Sequence, residues 1–204
     1  MAISLAKGQK VSLTKEYAGL KRVMVGLGWD KVKPSGLTFG GKVQDIDCDA
    51  MAFLLDSSGH IADKEDVVYF GNLQHISGCV THMGDNLTGE GEGDDEKIIV
   101  DLAYLPAQYQ RIVIPVSIYK ASVRNQQFGM IENAFIRIVD ADTKQELCRY
   151  NLSENYEGMT AMIFGELYRY KGEWKFGAVG QPLKIWSVAQ LAERYGLPRS
   201  VWSK

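Results

Sequence analysis

Short strand-like runs of apolar and polar positions, punctuated by turn residues, dominate the chain. They read as Val11-Ser12-Leu13, Lys21 to Leu27, Ala50 to Leu55, Val67 to Phe70, Cys79 to Met83, Ile98 to Leu102, Arg111 to Tyr119, Ala134 to Val139, Glu146 to Asn151, Ala161 to Tyr170 and Trp174 to Val179. Ser57-Ser58-Gly59 and Asp140-Ala141-Asp142-Thr143 mark turns, and Tyr170-Lys171-Gly172-Glu173 joins the last two runs as a hairpin. Within Ile112-Val113-Ile114-Pro115-Val116 the apolar run predicts a buried strand, with Pro115 near an unpaired position or an edge because it lacks an N–H. Helical spacing recurs clearly only at Val188, Leu191, Ala192 and Tyr195, with Ser187 as N-cap and Gly196 and Pro198 as stops. Ala121 to Glu132 reads as either a short helix or an irregular crossover. The pattern predicts an all-β fold, a sandwich or barrel, forming a single domain over residues 1–204.

Composition narrows what such a fold does. With 204 residues and 46% hydrophobic side chains the chain can bury a sizeable core. A net charge of -2 and sparse Lys-Arg neighbours leave no phosphate-tracking stripe, so direct nucleic-acid binding is not expected. Neither a basic leader with a long apolar stretch nor a membrane-length apolar run occurs, which predicts a cytoplasmic protein without a transmembrane segment. Cys48, Cys79 and Cys148 are odd in number and widely spaced, which fits reduced buried thiols. Trp29, Trp174, Trp186 and Trp202 read as core and hairpin packing, and Asp56, Asp63, Glu65 and Asp66 as acids around a solvated turn. No Gly-x-Ser-x-Gly nucleophile context is present, and the glycine-rich stretch beginning at Gly84 has no lysine to meet a phosphate.

That stretch carries the chemistry. Gly84-Asp85-Asn86-Leu87-Thr88-Gly89-Glu90-Gly91-Glu92-Gly93-Asp94-Asp95-Glu96 sets six carboxylates among glycines before the first basic residue, Lys97. Crowded carboxylates repel, and a hard divalent cation taking roughly 6–8 oxygens at about 2.3–2.6 Å turns that repulsion into binding. Asn86 and Thr88 add neutral oxygens, so calcium is preferred over a merely solvated linker. An EF-hand does not fit, because Leu87 and Gly89 stand where ligands belong and Glu90 where the turn glycine belongs. Upstream, Asp45, Asp47 and Asp49 alternate, which in a strand places them on one face, and Asp30 closes the Gly26-Leu27-Gly28-Trp29 segment.

Together these segments resemble the TerD family. The resemblance rests on Val25 to Asp30, Asp47-Cys48-Asp49-Ala50, the loop from Gly84 to Glu96 and Phe164-Gly165-Glu166-Leu167-Tyr168-Arg169. Val11 to Lys15, Asn133 to Arg137 and Gly172 to Gln181 extend it over nearly the whole chain. It implies a bacterial β-sandwich that binds one or two calcium ions through an acidic glycine-rich loop and acts without enzymatic turnover. The implied role is in tellurite and chemical-stress resistance, as a scaffold or interaction protein in a stress-response complex. The site that the resemblance implies uses Asp30, acids of the Asp45, Asp47 and Asp49 group, Asp85, Asn86, Glu90, Asp94, Asp95 and Glu96. Met51, Leu87 and the Pro182-Leu183-Lys184-Ile185-Trp186 segment depart from the family pattern and bear on partner surfaces more than on the metal. The rival reading is magnesium- or manganese-dependent phosphoester hydrolysis by the same acids, which needs an open coordination position.

Overall fold

The computed structural model describes residues 2–31, 46–84, 93–152, 154 and 156–202. Two sheets face each other. The first runs in the order β1 (Ile3–Leu5), β11 (Glu146–Asn151), β10 (Ile131–Asp140), β3 (Arg22–Lys31), β8 (Glu96–Asp101) and β7 (Val80–His82). The second runs β2 (Lys10–Ser12), β13 (Glu173–Leu183), β12 (Ala161–Tyr170), β9 (Arg111–Ile118), β5 (Ala52–Leu55) and β6 (Val67–Val68), with β4 (Cys48–Ala50) also paired to β9. Among the described residues three short α-helices complete the fold: α1 (Leu13–Glu16), α2 (Ala121–Arg124) and α3 (Val188–Glu193).

The space between the sheets is filled by alternate residues, as the pleat requires. Val23, Val25, Leu27 and Trp29 of β3 meet Ile112, Ile114 and Val116 of β9 in one core cluster. In β12 the inward set changes parity, from Met162 and Phe164 to Leu167, across a register irregularity between Ile163 and Gly165. A one-residue bulge does this, because it shifts every following side chain to the other face. Pro115 pairs with Ile163 at that bulge, and its carbonyl accepts the Met51 N–H (2.9 Å) in the break between β4 and β5. A proline therefore sits in a central strand, at an interruption of both neighbours rather than at an edge.

A second apolar cluster covers the outer face of the second sheet. Phe53, Leu55, Val113 and Ile163 pack there with Leu191 and Ala192 of α3 and with Leu197. As the spacing predicts, Ser187 caps α3 by accepting from the Gln190 N–H. The predicted hairpin is a two-residue turn in which Lys171 (φ 50) and Gly172 (φ 78) are both left-handed, matching the twist of the strands it joins.

Several local expectations are corrected. Val11-Ser12-Leu13 is not one strand, because the chain turns into α1 at Leu13, where Tyr17 N–H bonds back to Leu13 O and the Leu13 side chain enters the core. β1 was not anticipated; three residues at a parallel edge carry too little pattern to register. The ambiguous Ala121 to Glu132 stretch holds a four-residue helix bracketed by the left-handed Lys120 and Asn125, and then enters β10 at Ile131. Trp29 and Trp174 are core residues, but Trp186 is exposed, because the chain leaves the second sheet after Leu183.

Candidate metal centre

The acids converge at one end of the sandwich because β3, β4 and β8 all begin or end there. β8 opens at Glu96, which faces Leu27 across the ladder and so points inward, where it is 1% exposed. Its Oε2 lies 2.8 Å from His82 Nε2 of the neighbouring β7. Because His82 Nδ1 accepts the Gly84 N–H, the ring proton belongs on Nε2, between Glu96 and the Ala50 carbonyl at 3.2 Å. One imidazole thus ties the start of β8 to the end of β4.

Segment 93–95 folds back along β3 before β8 begins. Asp95 N–H donates to Leu27 O (2.7 Å), and the Asp95 carboxylate accepts the Trp29 N–H (2.9 Å). Asp94 lies over Gly26, where any Cβ would overlap its carboxylate, and Gly28 leaves the same clearance for the Phe135 ring. Opposite Gly26 in the register stands Arg137, whose fork holds both Asp94 oxygens, Nε to Oδ1 at 2.7 Å and Nη2 to Oδ2 at 2.9 Å. The glycines of the Gly26-Leu27-Gly28 segment are therefore positions where side chains from elsewhere cross the sheet. Asp30 remains exposed at the strand end and accepts from Asn133 Nδ2 at 2.8 Å.

Asp47 and Asp49 flank Cys48 and are 5% and 6% exposed, so they do not form a solvated edge. Asp47 reaches Arg124 of α2, with Oδ2 to Nη1 at 3.5 Å, and its carbonyl accepts the Tyr119 N–H. The same charges act on their titratable neighbours. Burial pushes the Cys48 thiol well above its usual range, and the charges of Asp49, Asp47, Glu96 and Asp95 push it further. Burial likewise raises the Asp95 carboxyl, opposed by the Trp29 N–H and reinforced by Asp30 and Asp94.

Of the sequence-predicted ligands, Asp30, Asp47, Asp49, Asp94, Asp95 and Glu96 come to this end of the sandwich, whereas Asp45, Asp85, Asn86 and Glu90 lie outside the described residues. Among the described residues, no three His, Cys, Asp or Glu side chains are arranged to hold an ion by themselves. The donor set is hard carboxylate oxygen, the chemistry calcium takes. His82, Asn133, Arg124 and Arg137 were not anticipated. His82 adjoins the acidic loop in sequence, but no local signal links Arg137 to Asp94. Asp66 is the other correction, because it is buried rather than solvated: it accepts from Tyr109 OH at 2.7 Å and lies 3.1 Å from His75 Nε2.

Comparison with known proteins agrees with the arrangement of strands. Residues 1–195 match the TerD domain. General stress protein 16U of Bacillus subtilis (strain 168) is 48% identical over 197 residues, covering 97% of this chain and 98% of its own. Tellurium resistance protein TerD of Serratia marcescens is 45% identical over 200 residues, covering 98% of this chain and 100% of its own. A solved homologue of telluride resistance protein (TerD) from Streptomyces coelicolor A3(2) superposes with a TM-score of 0.63 at 24% identity, over 88% of this chain and 100% of its own, and supports the fold. The chain belongs to the TerD family.

Proposed function

We propose that the chain is a calcium-binding, non-enzymatic module of the cytoplasmic stress response, taking one or two ions at the acidic end of the sandwich and serving as a scaffold or interaction protein. The observation that carries this reading is the burial of Asp47, Asp49 and Glu96 at the end of the sandwich where Asp95 is held against Leu27 and Trp29. Segments far apart in sequence supply these acids, so only the folded chain presents them together. Asp30, Asp45, Asp85, Asn86, Glu90 and Asp94 complete the ligand set, with Asp94 shared with Arg137. Crowded carboxylates favour a bound calcium ion, and an irregular oxygen cage suits it better than magnesium, which requires near-octahedral geometry. Relatives named for general stress and for tellurium resistance support the stress-response part of the reading.

The test is a calorimetric titration of chelator-stripped protein with calcium and magnesium side by side. Calcium is expected to bind much the more tightly, and Asp47→Asn and Asp95→Asn to weaken it. Equal affinities, or no binding of either ion, overturn the reading; magnesium-dependent release of phosphate from a phosphoester would replace it with hydrolysis.

A further inference from the structure

On one flank of the molecule four aromatic rings touch in a row. Trp202 meets Tyr69 with ring centres 5.8 Å apart, Tyr69 meets Phe70 at 5.1 Å, and Phe70 meets Tyr119 at 6.2 Å. Cations stand at both ends: Lys64 Nζ lies 5.0 Å from the centre of the Trp202 ring, and Lys120 Nζ and the Arg124 guanidinium lie 5.0 and 5.2 Å from that of Tyr119. Phe70, in the middle, is 42% exposed. The row joins the end of β6 to the residues around α2, and Lys120 and Asn125 hold α2 between two left-handed positions, so the cations are presented from a tightly turned segment. An apolar centre with positive ends is complementary to a segment that is apolar in the middle and acidic at its ends.

We propose that this row is a docking surface for an extended acidic peptide segment of a partner protein, with an apolar side chain seated at Phe70 and carboxylates paired with Lys64 and with Lys120 and Arg124. One observation favours a peptide over a polynucleotide. The rings contact one another edge to face, at interplanar angles of 68° to 82°, and do not form the open faces on which successive bases stack. Backbone addition to the neighbouring edge strand is disfavoured, because Asn72 Nδ2 already donates to the Val67 carbonyl at 2.9 Å. Arg124 also reaches Asp47 of the proposed calcium site, so the test is run in chelator and the two readings fail separately.

The probe is a short fluorescent peptide with glutamates at each end and Leu-Phe between them, followed by anisotropy with the whole chain at low salt. Saturable binding is expected, weakened about tenfold or more by Phe70→Ala and by Lys120→Glu, with Lys64→Glu as a second charge reversal at the opposite end. The same peptide with lysines in place of the glutamates should bind far more weakly. Equal binding of the lysine peptide, or indifference to all three substitutions in folded protein, overturns the proposal. So does capture of phosphatidylglycerol vesicles or oligothymidylate with no binding of the acidic peptide.

Discussion

Asp66 and Asp95 are both aspartates drawn away from water, and the protein pushes them in opposite directions. Burial raises the Asp66 carboxyl, but bonds from His75, Tyr109 and the Asp63 backbone outweigh it and leave it below the usual range. Around Asp95 burial prevails: the Trp29 N–H and the Lys97 charge oppose it, while Asp30 and Asp94 add to it, and the carboxyl ends above the usual range. Bonds outweigh burial at the first, and burial with neighbouring acids wins at the second. The difference separates a buried charge that the chain itself neutralises, a structural pin, from a group of crowded acids where the proposed calcium ion would sit.

The largest expected effect is the gain from that cation. With a dissociation constant on the order of 1 μM, about 1 mM free calcium should add roughly 4 kcal/mol of stability, since the ligands meet only in the folded state. Thermal unfolding with calcium and with chelator measures this, and identical curves would erase the distinction between the two regions. Next, Asp66→Ala should cost about 3 kcal/mol, because it strands the buried His75 and Tyr109 donors, yet leave the calcium-induced shift intact. Loss of that shift would mean the two regions act as one.

Gly26→Ala should cost about 2 kcal/mol through overpacking against Asp94, and should weaken calcium binding by displacing segment 93–95. A variant as stable as the parent would show that Asp94 moves aside freely.

The smallest effects concern pH. The Asp95 carboxyl is raised in the folded state, so its contribution to stability is present below the unfolded value of about 3.9 and is lost as pH rises through the raised value. In chelator, the parent should therefore gain stability relative to Asp95→Asn as pH falls from neutral into that window. Asp66 has the opposite sign: its stabilisation is present above about 3.9 and is lost as pH falls through its lowered value. Denaturant titrations of parent and variants across that range resolve the two slopes, and slopes of the same sign would refute the comparison.

Local pattern carried much of the architecture. The run Ala161 to Tyr170 is β12 with the bounds predicted, and Lys171-Gly172 makes the predicted turn, because strand alternation and left-handed turn preference act over a few residues. Short or interrupted elements were not legible. Met51 separates β4 from β5 although it is itself fully buried and apolar, so hydropathy runs straight through the break. Asp66 looked like one of several surface acids because its partners, His75 and Tyr109, lie 9 and 43 residues away.

By itself the sequence determined that this is a strand-rich chain with an unusual concentration of acids among glycines, since composition and short-range alternation are properties of neighbouring residues. Only the tertiary structure decided which acids come together and what already attends each one. That Arg137 grips Asp94 across Gly26, that His82 bridges Glu96 and the end of β4, and that Arg124 reaches Asp47 follow from strand order and register. Those in turn are set by burying apolar surface between two sheets, a long-range requirement that no single segment encodes.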